Sequence, residues 1–265
     1  MPVLLHNRCT YKKQGKNLSL FYDVLYSMLL QYGPVLLILL AGMFAAVLLQ
    51  KLTPAGAAAG GLIGFVIFLG AGYTGLSLMA TFFILGTAAT AWRKKEKIAA
   101  GIAAERESRR TAAQVAANAG VPFLLAIAAL LHPAQKELYQ LMLAAAFSAA
   151  TADTLASELG NVYGSRYYNM LTFKKDQKGL DGVVSWEGTA AGLAGSGVIA
   201  LLYAVGFGWN FAAFFIILIA GTIGNVADSV MGALWERKGR IGNDVVNFFN
   251  TAIAAAAALL LYFVL

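Results

Sequence analysis

The chain has 265 residues, of which 59% are hydrophobic and only 12% charged, and its formal net charge is +7. A soluble domain carries about 25% charged residues, so this composition excludes an ordinary soluble protein and predicts an integral-membrane one. The positive charge indicates membrane topology and acidic ligands, and does not favour nucleic-acid binding. Cys9 is the only cysteine, which excludes a disulfide framework and a cysteine-based metal site.

Runs of about 20 apolar residues predict eight membrane-spanning helices. They cover residues 28–50, 54–70, 72–91, 111–131, 137–158, 185–206, 209–234 and 245–265. No segment is left for a soluble domain, so we expect one all-α, polytopic helical bundle over residues 1–265. Residues 1–27 form a basic head, which could also lie along the membrane surface, because residues 18–32 are partly amphipathic.

The basic residues predict the orientation of the chain. Fifteen of the 20 Lys and Arg residues fall in connections after odd-numbered spans. The positive-inside rule therefore places the loops at 92–110, 160–184 and 236–243 in the cytoplasm. An even number of spans leaves the basic head on the other side, unless it lies on the membrane surface.

Two similar segments place a carboxylate inside a predicted span. One begins Ala152-Asp153-Thr154 and the other Ala227-Asp228-Ser229. A charge at the centre of a membrane helix costs at least about 2.5–3.5 kcal/mol, so each aspartate predicts a functional site. The similarity of the two segments suggests a weak internal duplication, or a chance match.

The predicted cytoplasmic ends of spans 5 to 8 carry acids and amides. The acids are Asp153, Glu158, Asp181, Glu187, Asp228 and Asp244, and span 8 opens with a stripe of Asn243, Asn247 and Asn250. Carboxylate and amide oxygens are the ligands that Mg²⁺ prefers. In an ideal helix Asp153 and Glu158 differ by about 140°. They reach one ion only if the helix loosens near Gly160; otherwise they serve different ligands.

Arginines are expected on the same cytoplasmic surface as these acids and amides. Arg93 lies in the first basic loop, and Arg109 and Arg110 precede span 4, where the helix dipole also favours anions. Acids for metal together with bases for phosphate are what phosphoryl transfer requires. Other interpretations stay open: the basic residues could set topology alone, the asparagines could join helices, and the acids could form the proton or cation path of a transporter.

Four ordered motifs resemble the phytyl-phosphate kinase family, which includes the transmembrane protein 19 group. The first is Asp153-Thr154-x-Ala156-Ser157-Glu158-x-Gly160. The others are Gly182-Val183-Val184-Ser185-Trp186-Glu187-Gly188-Thr189, Gly221-x-x-Gly224-x-x-x-Asp228-Ser229-x-x-Gly232-Ala233 and Asn243-Asp244-x-x-Asn247. Arg109-Arg110 followed by Asn118 matches a further motif. The resemblance covers roughly residues 50–255.

The resemblance implies a kinase of the prokaryotic plasma membrane, with its site facing the cytoplasm, that converts a prenyl monophosphate to the diphosphate. It implies CTP or another nucleoside triphosphate as donor, Mg²⁺ on Asp153, Glu158 and Asp228, and phosphate neutralisation by Arg109 and Arg110. The further substrate-binding residues that it implies are Arg93, Asn118, Ser157, Ser185, Glu187, Ser229, Asn243 and Asn247.

Several features of this expectation stay open. No Walker-type P-loop occurs, so the nucleotide site is of another kind. We expect the prenyl tail along the glycine-lined faces of spans 6 and 7. A homo-oligomer is compatible with the sequence. A cytidylyltransferase acting on a lipid phosphate, which would release pyrophosphate, is the enzymatic alternative, and a cation- or proton-coupled transporter is the non-enzymatic one.

Overall fold

The computed structural model describes residues 3–99, 101 and 109–265, with side chains from residue 26 onward. Contacts divide the chain into two compact units, Met1–Gly42 and Met43–Leu265. The prediction of one domain over residues 1–265 stays a prediction. The first unit is helical from Val3. The basic side chains expected in the head, and residues 100 and 102–108 of the first basic loop, lie outside the described residues.

The described chain is almost entirely helical. Its helices are α1 (Val3–Leu48), α2 (Pro54–Ala91), α3 (Lys94–Ala99), α4 (Ala112–Leu131), α5 (Lys136–Tyr163), α6 (Trp186–Phe207), α7 (Phe211–Met231) and α8 (Asn243–Val264). A 3₁₀ turn (Pro133–Gln135) precedes α5, and a π-helix (Gly232–Glu236) follows α7. The strands β1 (Tyr168–Asn169) and β2 (Val183–Val184) pair antiparallel between α5 and α6. The all-α fold class is confirmed.

Six helices of the described chain are long and apolar enough to cross a membrane. They are Tyr26–Leu48, Pro54–Ala91, Ala112–Leu131, Trp186–Phe207, Phe211–Glu236 and Asn243–Val264. The integral-membrane expectation is confirmed, and the count differs from eight at two places. The predicted spans 54–70 and 72–91 lie in one element, and α5 falls outside the set.

Helix α2 is broken at Gly72, where φ is +64°. Only glycine adopts this backbone conformation readily. The two arms of α2 both reach Arg110. A Cβ on Gly56 would lie 2.6 Å from the carbonyl oxygen of Arg110, and a Cβ on Gly86 would lie 3.1 Å from Nη2 of Arg110. The arms therefore run antiparallel, and they correspond to the two short spans expected from the sequence.

Helix α5 lies at the centre of the second unit and contacts α2, α4, α6, α7 and α8. Its middle, from Ala144 to Ala150, is fully buried and consists of small residues apart from Phe147. Because the middle of this helix faces protein on all sides, it can carry polar residues that a lipid-facing helix would avoid. That explains why its composition is less apolar than that of its neighbours.

The glycines of α6 and α7 pack directly against other helices. A Cβ on Gly188 would lie 2.6 Å from the carbonyl oxygen of Ala156, and one on Gly224 would lie 2.5 Å from the Cβ of Ala149. Small residues allow this close approach. The expectation that these faces form a groove for a prenyl tail is wrong, because helix backbone fills the space.

A polar segment covers one end of the bundle between α5 and α6. The Tyr167 hydroxyl lies 3.0 Å from the carbonyl oxygen of Gly160 and 2.8 Å from that of Gly164, at the end of α5. Asp176 accepts hydrogen bonds from Nη1 and Nη2 of Arg237, at 2.5 and 3.3 Å. The segment is therefore tied to both α5 and the chain after α7.

Candidate functional site

A cavity of about 330 Å³ opens between α5, α6, α7 and the segment that precedes α6. We call it the acidic cavity, because its walls carry four carboxylates, those of Asp153, Asp181, Asp228 and Glu236. Among the described residues, no Lys or Arg lines it. Four uncompensated carboxylates in one cavity repel one another, which favours a cationic ligand.

The carboxyl groups of Asp153 on α5 and Asp228 on α7 are within hydrogen-bonding reach of each other. Oδ2 of Asp228 accepts a hydrogen bond of 2.8 Å from Nδ2 of Asn250 on α8. Asn250 is fully buried, and its Oδ1 has no partner among the described residues. Three helices therefore converge on this carboxylate pair, and the Asn250 amide fixes the orientation of Asp228.

Asn225 is a polar side chain of this site that we did not assign from the sequence. It is only 9% exposed, it lines the acidic cavity, and its side chain makes no hydrogen bond to any described residue. An amide that is mostly buried, opens to the cavity and makes no bond to the described residues is available to a ligand or to water. Gly192 makes room for it, since a Cβ there would lie 2.9 Å from Nδ2 of Asn225.

A π-helix at the end of α7 brings Glu236 into the acidic cavity. Such turns are rare, and they occur frequently at functional sites. The side chain of Asn243, which also lines the cavity, lies within hydrogen-bonding reach of the Glu236 carboxylate. Oδ1 of Asn243 in turn accepts a bond of 2.6 Å from Nδ2 of Asn247. Asn247 supports this wall without being among the lining residues.

Glu158, the second acid of the first motif, has a different partner. Its Oε2 lies 2.6 Å from Nζ of Lys97. Lys97 is 3% exposed and also donates to the carbonyl oxygens of Ala89 and Thr90, at 3.0 and 2.9 Å. Helix α5 continues to Tyr163 without loosening at Gly160. Asp153 and Glu158 consequently face different neighbours, and Glu158 is absent from the walls of the acidic cavity.

Arg110 lies on the side of α5 that Glu158 faces. Its guanidinium stacks over the rings of Phe82 and Phe83, at 5.8 and 5.9 Å, and makes no ion pair within the described part of the chain. Burial lowers the pKa of Arg110, and the charge of Glu158 partly opposes this effect. Hydrogen bonds of 3.0 Å at its backbone nitrogen and oxygen, to Lys51 and Thr53, hold it in place. Arg109 is exposed.

The remaining expected residues fall into two groups. Those that line the acidic cavity are Ser157, Ser185, Ser229 and Asn243. Ser185 also caps α6 by accepting a 3.1 Å bond from the Gly188 nitrogen.

The other expected residues lie outside the cavity walls. Glu187 accepts bonds from Ser165, Asn118 donates to the Gln114 carbonyl oxygen, and Arg93 pairs with Glu96. Their roles in substrate binding stay predictions.

The donor set of the acidic cavity suits a hard divalent cation. No group of three or more His, Cys, Asp or Glu residues in the described ranges is arranged to hold a metal ion alone. Mg²⁺ is commonly held by one or two carboxylates together with water and substrate phosphates. The Asp153–Asp228 pair with the unpartnered Asn225 amide fits this pattern, whereas Glu158 does not belong to it.

Of the residues that were not assigned from the sequence, Asn225 has a recognisable pattern there, whereas Lys97 and Glu236 do not. Asn225 precedes Asp228 by three positions, so the two share one face of α7. Lys97 lies among other basic residues, and only its burial separates it from them. Glu236 could not be assigned from helical periodicity, because the π-helix changes the direction in which it points.

Comparisons with known proteins place the chain in a family. A family model described as "Integral membrane protein DUF92" matches residues 37–255. An uncharacterised membrane protein of Synechocystis, sll0875, is 36% identical over 79% of this chain and 82% of its own length.

Two further relatives are similar. Protein VTE6, chloroplastic, of Arabidopsis thaliana is 31% identical over 81% of this chain and 66% of its own. The uncharacterised membrane protein MJ0933 of Methanocaldococcus jannaschii is 33% identical over 76% of this chain and 82% of its own. No solved structure matches. The relationship expected from the motifs is confirmed at this level: the chain belongs to the DUF92 family of integral membrane proteins.

Proposed function

We propose that this protein is a membrane-embedded phosphotransferase that acts on a prenyl monophosphate. It transfers the γ-phosphate of CTP or another nucleoside triphosphate to the lipid phosphate, and the products are a prenyl diphosphate and a nucleoside diphosphate. The resemblance of the motifs to the phytyl-phosphate kinase family supports this substrate class.

One observation carries the proposal: two consecutive residues of α5 lie beside an anionic site and a cationic one. Asp153 faces the acidic cavity. The next residue, Thr154, lies beside Arg110, because both would be within 3.3 Å of a Cβ on Gly86. Transfer of a phosphoryl group from a metal-bound donor to an arginine-bound acceptor requires opposite charges on the two sides, and here they lie beside consecutive residues of α5.

The donor side of the site is the acidic cavity. Asp153, Asp228 and Asn225 would hold Mg²⁺, which supplies neutralisation of the donor phosphates when bound. Asn250 keeps Asp228 oriented through the 2.8 Å hydrogen bond. Ser157 and Ser229 present hydroxyls to the same space and can donate to phosphate oxygens.

The acceptor side is centred on Arg110. Its guanidinium offers five N–H donors in a fork that matches a phosphate, and stacking on Phe82 and Phe83 holds the fork in one plane. A lipid monophosphate has a second pKa near 6, so its dianion is the main form at neutral pH. A phosphate oxygen attacks the γ-phosphorus, and the bond from that phosphorus to the β-phosphate oxygen breaks. No proton has to be removed, and no histidine base is needed.

An apolar groove supports the placement of the prenyl tail. It has a volume of about 580 Å³ and lies between α4 and α8, with Ala113, Gly120, Phe123 and Phe248 among its lining residues. Its first lining residue on α4 is three positions after Arg110. A tail in this groove would begin at the end of α4 that follows Arg110 in the chain and continue between α4 and α8.

The transporter alternative has less support. A coupled transporter would use carboxylates near the midplane, away from polar loops. In this chain the segment Leu180–Ser185, which lies between α5 and α6 and outside the helices that can cross a membrane, lines the same cavity as Asp153 and Asp228. The carboxylates therefore share a compartment with extramembrane residues, which is typical of an enzyme site at the membrane surface.

The experiment is a transfer assay with the full chain in detergent. Nucleoside triphosphates are screened against geranylgeranyl, phytyl and longer polyprenyl monophosphates, with Mg²⁺, and nucleoside diphosphate is measured. We expect diphosphate release that depends on the lipid. Asp153→Asn and Asp228→Asn should reduce turnover by at least about 100-fold, since each removes a metal ligand. Lys95→Gln, an exposed change in α3, serves as the matched control.

The same assay separates the alternatives. Pyrophosphate release in place of nucleoside diphosphate would establish the cytidylyltransferase. Wild-type turnover in both aspartate variants, with melting temperatures equal to wild type, would overturn the proposal. So would the absence of turnover with every combination, together with substrate flux in liposomes.

A further inference from the structure

The acidic cavity has too few ligands to hold a divalent cation tightly and too much negative charge to accept a free nucleotide. Its four carboxylates would repel the phosphates of a bare nucleoside triphosphate. A cation would find two adjoining carboxylates, Asp153 and Asp228, and no third His, Cys, Asp or Glu placed to complete the set in the described ranges. Each ligand therefore lacks what the other supplies.

We propose that Asp153, Asp228 and Asn225 form a composite cation site that is completed by the phosphates of the nucleotide. Metal and nucleotide then bind as a unit, and each raises the affinity for the other. The inference rests on the proposed function for the identity of the nucleotide, and it adds the mutual dependence of metal binding and nucleotide binding.

Asn225 is the observation that distinguishes this site from a mere group of acids. A buried amide in a helix normally pairs with a neighbouring carbonyl or side chain. Asn225 is nine-tenths buried and makes no such bond within the described residues, although it lines the cavity beside Asp228. Its oxygen can ligate the cation and its nitrogen can donate to a phosphate oxygen, so one side chain contacts both parts of the complex.

The neighbours of the carboxylate pair are built as supporting groups. Nδ2 of Asn250 donates to Asp228, and this residue is fully buried on α8. Partners of this kind orient metal ligands, and their loss lowers metal affinity by about 10–100-fold. Asn250 therefore acts as a positioning residue for Asp228, without contacting the cation.

Glu158 is excluded from the composite site by its own ion pair. Its carboxylate is engaged with Lys97 at 2.6 Å, and the ammonium group of Lys97 has its three donors occupied. Moving Glu158 into the cavity would leave Lys97, which is 3% exposed, without its counter-charge. The two acids of the motif thus have different functions, and only Asp153 ligates the cation.

The test measures binding without any lipid acceptor, so that no transfer takes place. The purified full chain is titrated with Mn²⁺, and free Mn²⁺ is followed by electron paramagnetic resonance, with and without CTP. We expect weak Mn²⁺ binding alone. CTP in the presence of protein should raise the Mn²⁺ affinity beyond that of CTP in buffer by about 10-fold or more. The melting temperature should rise with both ligands together and not with CTP alone.

Variants assign the ligands. Asp228→Asn and Asn225→Leu should each lower Mn²⁺ affinity in the presence of CTP by about 10-fold or more, whereas Glu158→Gln and Lys95→Gln should leave it within about 2-fold of wild type. Retention of wild-type affinity in both cavity variants would overturn the site. Equal loss in Glu158→Gln, or tight Mn²⁺ binding that is independent of CTP, would overturn it as well.

The outcome is separable from that of the proposed function. Cooperative Mn²⁺ and CTP binding with no transfer to any prenyl phosphate would leave the site standing and contradict the phosphotransferase. Lipid-dependent transfer, together with a Mn²⁺ affinity that Asn225→Leu leaves unchanged, would support the phosphotransferase and contradict the composite site.

Discussion

Glu158 and Lys97 form an ion pair of 2.6 Å that joins α5 to α3, although they are 61 positions apart in the chain. Lys97 would ordinarily be assigned to a cytoplasmic loop, where basic residues set topology. Its ammonium group instead lies on the last carbonyl oxygens of α2, those of Ala89 and Thr90, where the helix dipole favours a cation. The pair holds the end of α2 and α3 against the helix that carries Asp153.

The first prediction concerns this pair. Lys97→Met should lower the free energy of unfolding by about 3 kcal/mol, because it leaves Glu158 without a partner in a partly buried position. Lys95→Met, in the same short helix but exposed, should have little effect. Thermal unfolding in detergent measures both. The double variant Lys97→Met with Glu158→Leu should recover part of the loss, and a double variant as unstable as the sum of the two single ones would contradict the role of the pair.

The second prediction uses two glycines of α6. Gly192→Ala would bring a Cβ to within 2.9 Å of Nδ2 of Asn225 and of the Ala152 carbonyl oxygen. We expect it to displace the amide and to weaken Mn²⁺ binding in the presence of CTP by about 10-fold. Gly197→Ala is the control, since its Cβ would meet only a Leu218 methyl group at 4.0 Å. Equal Mn²⁺ affinity in the two variants would show that the position of Asn225 does not matter.

The third prediction tests whether Arg110 acts through its planar guanidinium or only through its positive charge. Arg110→Lys keeps the charge but loses the planar fork and the stacking on Phe82 and Phe83. The KM for the lipid phosphate should rise by about 10-fold or more, with a smaller effect on the KM for the nucleotide. Arg166→Lys, an exposed change in the segment after α5, should leave both constants near wild type. A rise confined to the nucleotide KM would assign Arg110 to the donor instead.

The fourth prediction concerns the segment that covers the acidic cavity. Hydrogen bonds from Arg237 hold the pKa of Asp176 below its usual value, with further bonds from Gln177 and Asn169. A carboxyl with a lowered pKa stabilises the fold above its unfolded pKa near 3.9, and the effect is lost only as the pH falls through the lower folded value. Resistance of this segment to proteolysis should therefore be constant from about pH 8 to about pH 5.

The variant Asp176→Asn should cause faster cleavage within residues 164–185 across that whole pH range. Lys175→Gln, an exposed neighbour, should not. Cleavage that accelerates in the wild type between about pH 7 and about pH 5 would contradict the role of Asp176, because its carboxyl remains ionised there.

The fold could be predicted from the sequence as far as local apolar runs determine it. The spans, the polar segment before α6 and the reversal near Gly72 all correspond to patterns of apolar residues and glycine. Helix α5 was expected as one of eight membrane spans, and its central position depends on packing against five neighbours, which no local pattern encodes. The glycines of α6 and α7 were read as a groove because a small-residue face fits a ligand as well as a helix.

The chemistry of the site could be predicted from the sequence, but not all of the residues that form the site could. Asp153 and Asp228 stand out because a carboxylate in a membrane span is costly. The motif also joins Glu158 to Asp153, yet a separation of five positions turns the two side chains to different faces of α5. Glu236 enters the cavity through a π-helix, and Lys97 is distinguished only by burial. Both depend on tertiary structure.

Isotope transfer tests the central claim most directly. The full chain in detergent is incubated with Mg²⁺, geranylgeranyl monophosphate and CTP labelled with ³²P at either the γ or the α position, and the lipid products are separated by thin-layer chromatography. The account predicts that the γ label moves to a lipid diphosphate, that the α label stays in CDP, and that Asp228→Asn abolishes the transfer. Appearance of the α label in the lipid, or undiminished γ transfer by Asp228→Asn, would contradict it.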